Sequence, residues 1–194
     1  MPAWAIMLTG ASHDREDHGE FMPLVVFLKG VNVGGHRTFR PSVLAHKLAK
    51  LGVISVGAAG TFVVRRPISQ AKLRMEFRRC LPFETEAMIC SGNDILRLAS
   101  AESFAGEPCG PDIVRFVSIL AKRPRVSPLL PLNLPPGEDW LVRIVAIRGR
   151  FAFGLYRRTI RTITLLSKVE KHLGASITSR NWNTFSSLFE ILRT

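Results

Sequence analysis

A glycine-rich loop, Gly30–Gly35, follows a short apolar run and has the composition of a ligand site. Successive backbone N–H groups in such a loop bind phosphate or carboxylate groups, and Lys29, His36 and Arg37 would add positive charge. The loop contains neither the Gly-Lys-Ser/Thr of a P-loop nor the Gly-x-Gly-x-x-Gly of dinucleotide-binding proteins. The alternative is a tight connection whose glycines adopt positive φ and whose Asn32 holds the backbone by local hydrogen bonds.

A second polar cluster marks the start of the last predicted helix, where Arg180, Asn181 and Asn183 surround Trp182. Trp182 continues the apolar stripe of that helix and is most simply a core anchor. Asparagine side chains at a helix start commonly cap it, which is the structural interpretation. The functional interpretation is that the three polar residues present donors near a helix N-terminus, where an anion is favoured.

These two clusters together suggest a small-molecule site. If the glycine loop and the helix start face one cleft, they would bind a nucleotide or a phosphorylated metabolite, in a binding protein or an enzyme. The predicted ligand-binding residues are Lys29, Gly30, Asn32, Gly34, Gly35, Arg180, Asn181 and Asn183.

The C-terminal part of the chain is strongly basic. From Arg143 to Arg180, Glu170 is the only acidic residue among nine lysines and arginines. Surfaces that bind nucleic acids combine such charge with stacking aromatic side chains. Phe151 and Phe153 lie within this run, but they share one face of a strand, which is typical of a core. The predicted basic patch consists of Arg157, Arg158 and Arg161.

The composition of the whole chain supports an anionic partner. The 194 residues carry a formal net charge of +12, and the sequence pI is about 10.8. A surplus of this size favours nucleic acids and other polyanions by counterion release. The alternative is an arginine-rich composition without a specific partner. Hydrophobic residues make up 46% of the chain, which is enough for a core.

No catalytic constellation, metal site or cofactor site is predicted, and whether the chain is an enzyme is left open. The histidines are scattered, and neither His-Glu-x-x-His nor Gly-x-Ser-x-Gly occurs. Three cysteines without a Cys-x-x-Cys pair are typical of reduced thiols in the cytoplasm. No apolar run reaches the length of a membrane helix, so no membrane partner is predicted, and the oligomeric state is left open.

The hydrophobic pattern predicts an α+β fold that begins with a β-α-β-β-α-β unit. Pro41 begins a helix that ends at Gly52, and Ser69 caps the next helix. This order is that of a ferredoxin-like antiparallel sheet, followed here by further strands and a helical C-terminal part. The predicted strands of the unit are 24–28, 53–56, 61–64 and 84–89.

The rest of the chain reads as a capping box at 91–94, a strand at 112–120, a hairpin and two helices. No internal repeat is evident from residue identity. Met22 stands directly before the first strand and is an alternative start of the chain. The predicted divisions are a loose extension at 1–21, a ferredoxin-like subdomain at 22–120, a proline-rich linker at 121–139, and a hairpin with two helices at 140–194 that packs on the first part.

Two stretches resemble the opening and closing motifs of the bacterial family called domain of unknown function 1697. The opening stretch is Phe27-Leu28-Lys29-Gly30-Val31-Asn32-Val33-Gly34-Gly35, and the closing one is Thr178-Ser179-Arg180-Asn181-Trp182-Asn183-Thr184. The resemblance implies a cytosolic α+β protein with a ferredoxin-like subdomain, and it implies no established activity. This chain has Ala59-Gly60-Thr61 where the family usually has Ser-Gly-Asn.

The function predicted from the sequence is therefore non-catalytic binding of an anionic partner through the basic C-terminal half. That partner is a nucleic acid or a phosphate-bearing ligand. The alternative is a small-molecule binding protein or enzyme that uses the cleft between the Gly30–Gly35 loop and the Arg180–Asn183 helix start.

Overall fold

A computed structural model describes residues 22–32, 35, 37–100, 102–124 and 128–194 of the chain. The predicted extension at 1–21 and the predicted site residue Gly34 lie outside these ranges. The described part has a mixed α+β fold with two antiparallel sheets. Within those ranges, no helix combines the length and the apolar character needed to cross a membrane.

The first sheet has four strands, and all of its paired strands are antiparallel. Three helices belong to this half, and a single 3₁₀ turn follows the first of them. Predicted and observed strands agree except for the last, which runs over 87–91 instead of 84–89. The elements are β1 (Leu24–Leu28), α1 (Pro41–Lys47), β2 (Val53–Val56), β3 (Thr61–Val64), α2 (Gln70–Cys80), β4 (Ala87–Ser91) and α3 (Gly92–Ala99).

Local sequence signals explain the boundaries of these helices. Pro41 occupies the first turn of α1, where its missing N–H breaks no helical hydrogen bond. The helix predicted to run from Pro41 to Gly52 is divided: α1 ends at Lys47, and Gly52, in the left-handed conformation with φ +63°, ends the 3₁₀ turn Ala49–Leu51 that follows. The side chains of Ser69 and Ser91 cap α2 and α3 by accepting from the backbone N–H of the residue three positions ahead. These signals were therefore read correctly from the sequence.

The elements of the second half are β5 (Ile113–Leu120), β6 (Leu132–Leu134), β7 (Val142–Arg148), β8 (Phe151–Arg157), α4 (Ile160–Leu173), β9 (Ile177–Asn181) and α5 (Trp182–Arg193). Its sheet has the order β6-β7-β8-β5-β9 and is also antiparallel. The predicted division at residue 120 separates β5 from its partners, because β5 pairs with β8 and β9 instead of with the first sheet. The short strand β6 lies within the predicted linker.

The two halves repeat one structural unit at a separation of 90 residues. β3 begins at residue 61 and β8 at 151, β4 at 87 and β9 at 177, and α3 at 92 and α5 at 182. Between β1 and β5 the separation is 92 residues, and equivalent hydrogen bonds recur: the Leu28 N–H donates to the Gly60 carbonyl, as the Leu120 N–H donates to the Arg150 carbonyl, both at 2.8 Å. The strand order β2-β3-β1-β4 of the first sheet thus reappears as β7-β8-β5-β9 in the second.

The two sheets face each other across a shared core. Alternation along β1 sends Val25 and Phe27 into this core and Val26 and Leu28 to the other face, beneath α1 and α2. The second sheet contributes its own inner face, and α4 packs on its outer face. Helices α3 and α5 also join the shared core, where the rings of Phe27 and Phe185 stack with centroids 6.0 Å apart.

Candidate functional site

Arg180 joins the two motif stretches and is almost completely buried, with 6% of its surface exposed. It lies on β9 and reaches the end of β1 in the other half. Its Nη2 donates to the carbonyl of Leu28 at 2.8 Å and to that of Gly60 at 3.3 Å. Its Nε donates to Thr61 Oγ1 at 2.7 Å, and its Nη1 donates to Thr178 Oγ1 and to the carbonyl of Ser179, both at 2.8 Å.

The five N–H groups of Arg180 are thus all directed at uncharged oxygens. Burial of the guanidinium lowers the pKa of Arg180 to about 10. The Phe27 ring lies 5.8 Å from its central carbon. Arg180 therefore fastens one half to the other, and it has no N–H left to offer a ligand.

Lys29 also connects the halves. Its ammonium donates to both carboxylate oxygens of Glu170 on α4, at 3.0 and 2.8 Å, and to Ser176 Oγ at 2.7 Å. Ser176 in turn donates to Glu86. The charge of Lys29, which was predicted to serve an anion, is therefore balanced by a carboxylate from the same chain.

Asn32 holds the glycine loop closed. Its amide nitrogen donates to the carbonyls of Phe39 and Ala58, at 3.1 and 2.7 Å, and its oxygen accepts from the Phe39 N–H at 2.9 Å. Gly30 and Gly35 have φ of +62° and +76°, as a tight connection requires. Asn32 and these two glycines therefore have the geometry expected for a tight connection held by local hydrogen bonds, which was the alternative to a ligand-binding loop.

The remaining two predicted residues, Asn181 and Asn183, lie in a different place from Lys29. Asn181 ends β9 and caps α5, because its oxygen accepts from the Thr184 N–H at 3.0 Å. Both asparagines are exposed and line a groove of about 310 Å³ at the start of α5. Arg115 and Arg158 line the same groove. Among the described residues that form its walls, none is acidic.

The electrostatics of this groove favour an anion. Arg115 is held with its central carbon 5.4 Å from the centroid of the Phe104 ring, which fixes the guanidinium without neutralising it. The first turn of α5, which lines the groove through Trp182 and Asn183, contains no acidic residue, so the positive end of this helix dipole favours an anion there. The carboxylate of Asp112 lies beside the groove, where a Cβ added to the wall residue Gly110 would stand 3.1 Å from Oδ1, and it pairs with Arg157 at 3.7 Å.

The predicted basic patch lies beside this groove. Arg158 belongs to both, and Arg161 is exposed in the first turn of α4. Arg157 is partly exposed and stacks over Trp140, with its central carbon 5.0 Å from the ring centroid. We call Arg115, Arg157, Arg158, Arg161, Asn181 and Asn183 the α5 groove patch.

Other arginines of the basic run serve the fold. Arg143 pairs with Glu107 at 3.1 Å and stacks on Trp140. Arg150 donates to the carbonyls of Ala121 and Ile89, at 3.2 and 2.7 Å. The run is therefore not one continuous binding surface, and only part of its charge is free for a partner.

Sequence reasoning missed Arg115, which comes from β5. A signal was present, because Arg115 interrupts the apolar strand Ile113–Leu120. What the sequence did not contain was the position of β5 next to β9, which brings Arg115 to the start of α5. Metal chemistry has no support in the described part of the chain, where no three His, Cys, Asp or Glu side chains group as ligands.

The fold and the groove together define a two-sheet α+β protein with a basic groove at one helix start. It is similar in structure to the conserved bacterial protein SP0830 from Streptococcus pneumoniae, at a TM-score of 0.57 and 17% sequence identity. The similarity covers 88% of this chain and 98% of that protein. No family model matches the chain, and no curated protein matches it. The likeness shows the fold alone.

Proposed function

We propose that this protein binds a nucleic acid, or another phosphate-bearing polyanion, through the α5 groove patch. The observation that carries the proposal is the convergence of Arg115 and Arg158 on a groove at the start of α5 whose described walls hold no carboxylate. Guanidinium groups bind phosphate oxygens in a bidentate manner, and a helix N-terminus adds backbone N–H donors. The two exposed asparagines add further polar groups on the same wall.

The arrangement favours a chain of phosphates over a single one. The groove is small, about 310 Å³, so it admits one phosphate with part of its sugar. Arg157 and Arg161 do not line the groove, but they are close to Arg158 in the sequence and at least partly exposed, so we expect them to meet adjacent phosphates. Contacts of this kind position a backbone without reading its sequence, so we expect little preference among base sequences.

The test is a salt titration of the binding of a fluorescein-labelled oligothymidylate, followed by fluorescence anisotropy. The triple variant Arg157→Gln/Arg158→Gln/Arg161→Gln should bind about tenfold more weakly at low salt. Its slope of log K against log salt should fall by about 2, because each phosphate contact with a single strand contributes about 0.7 to the slope.

A charge-matched control separates the patch from the general basicity of the protein. Lys47, Lys50 and Lys72 are exposed in the first half, and their triple change to glutamine removes the same charge. This control should keep the slope of the unchanged protein. Equal losses in the two triple variants, or no binding at low salt, would refute the proposal.

Two finer statements about class belong with this proposal. We propose that the first half is a ferredoxin-like unit, which is supported by its element order and by the strand order β4-β1-β3-β2. We also propose membership in the family called domain of unknown function 1697, and with it a cytosolic location. In support, the two motif stretches touch, because Arg180 of the closing stretch donates to the Leu28 carbonyl of the opening one.

A further inference from the structure

A larger cleft lies in the first half, away from the α5 groove patch. It has a volume of about 620 Å³ and lies between the end of β1, one side of α2 and the segment that leads from α2 to β4. Its lining includes Lys29 and Arg37, which flank the glycine loop. None of its lining residues belongs to the α5 groove patch.

The floor of this cleft is apolar and firmly held. Phe77 is buried on α2 and packs edge-on against Phe62, with ring centroids 5.3 Å apart. Phe83 is half-buried and makes an edge contact with Phe39 at 5.9 Å. Leu81 lies between these rings in the sequence and is also half-buried. Such a floor accepts a flat apolar group.

The rim of the cleft carries four basic side chains, those of Lys29, Arg37, Arg74 and Arg78, against the two carboxylates of Glu84 and Glu86. Arg74 donates through Nη1 to the carbonyl of Ala87, which holds the side chain in place while other N–H groups remain. Arg78 pairs with Glu84, but both side chains are largely exposed, so this ion pair contributes little and a bound anion can replace it. On the opposite side, the guanidinium of Arg37 lies close to Gly30, because its Nη1 would be 3.8 Å from a Cβ added to that glycine.

The structural repeat shows which features are particular to this cleft. The second half has a groove at the corresponding place, lined by Lys171, Gly174 and Ser176, which correspond to Leu81, Glu84 and Glu86 at the 90-residue separation. The scaffold therefore forms a depression here in both halves, and only the first half adds the aromatic floor and the arginine rim.

We propose that this cleft binds a small molecule with a flat apolar body and one anionic group, such as an aryl phosphate, sulfonate or carboxylate. The apolar body rests on Leu81 and Phe83, and the anion meets Arg74 and Arg78. This binding site is independent of the α5 groove patch, so either can fail while the other stands.

The probe for the test is anilinonaphthalene sulfonate, an aryl anion whose fluorescence rises in apolar surroundings. The protein should bind it saturably at one site. The double variant Arg74→Ala/Arg78→Ala should weaken this binding about tenfold, which corresponds to about 1.4 kcal/mol. The neutral analogue N-phenylnaphthylamine, which lacks the sulfonate, should bind both proteins alike.

Two further variants keep the test decisive. Arg79→Ala is the matched control, because Arg79 follows Arg78 on α2 but lines a different groove, and it should change the affinity less than twofold. Leu81→Trp should fill the floor and weaken both probes. Equal losses in the control and the double variant, an unchanged affinity in Leu81→Trp, or binding that does not saturate would overturn the proposal.

Discussion

The starts of α3 and α5 occupy the same place in the two halves but meet different surroundings. At α3, the Gly92 N–H donates to the carbonyl of Pro23 at 2.7 Å, and a Cβ added to Gly92 would lie 3.2 Å from Leu192. The chain itself therefore closes this helix start. At α5, the equivalent residue Trp182 stands at the edge of an open groove lined by Arg115 and Arg158. One helix start is closed by the rest of the chain, and the other borders an open groove.

The hydrogen bonds that join the two halves show a second difference between equivalent positions. Arg180 on β9 donates a hydrogen bond to the Gly60 carbonyl. At the 90-residue separation, Gly60 corresponds to Arg150 and Cys90 corresponds to Arg180. Arg150 donates to Cys90, so the same pair of positions is joined again. Each half is thus fastened by one arginine, but the arginine comes from the strand in one case and from the turn in the other. The hydrogen bond therefore recurs at equivalent positions, although the arginine stands on the opposite member of the pair.

Removing the buried arginine should have the largest effect. Arg180→Met removes all five hydrogen bonds of the guanidinium and leaves the carbonyls of Leu28 and Gly60 with one fewer donor each. We therefore expect a loss of about 2–4 kcal/mol in the free energy of unfolding. Urea denaturation measures this loss. A change below about 1 kcal/mol would show that the five hydrogen bonds do not hold the halves together.

The equivalent arginine of the turn should matter less, because Arg150 is only half-buried. Arg150→Met removes hydrogen bonds to Ile89 and Ala121 and should lower the free energy of unfolding by about 1–2 kcal/mol. The exposed Arg66 offers a control, whose change to Met should stay within about 0.5 kcal/mol. If Arg150→Met lowered the free energy of unfolding as much as Arg180→Met, the degree of burial would not determine what each arginine contributes to stability.

The smallest effects should separate the two helix starts. Ser91→Ala and Asn181→Ala each remove a helix cap, and each should destabilise the protein by about 1 kcal/mol. Only Asn181→Ala should also weaken oligothymidylate binding, by about threefold, because only its helix start is open. Anisotropy titrations of the two variants, compared with their thermal melting, measure both effects. Equal weakening in both variants would contradict the contrast drawn between α3 and α5.

Much of the first half was readable from the sequence, and the reasons are local. Pro41, Gly52 and Ser69 mark helix ends through their own backbone preferences, and these act over a few residues. Strand β9 was missed because Ile177–Asn181 is mostly polar. Its buried polar side chains, Thr178 and Arg180, are satisfied by a distant partner, because both donate to the Leu28 carbonyl.

The structural repeat could not be predicted from residue identities, for a related reason. Between residues 60–99 and 150–189, only Asn93 with Asn183 and Leu98 with Leu188 are identical at the 90-residue separation. The fold requires apolar character and hydrogen-bond partners at these positions, and many residue types meet that requirement. The candidate groove depends on the same long-range pairing, so the sequence indicated Arg158 and the asparagines but not Arg115.

The shared core has a consequence for how this protein comes apart. Val25 and Phe27 of one sheet are covered by the other half, and a half on its own would present that apolar surface to water. Neither half can therefore stay folded while the other half unfolds. Heating should therefore give one sharp calorimetric peak in which both sheets are lost together, although the chain is built from two copies of the same plan.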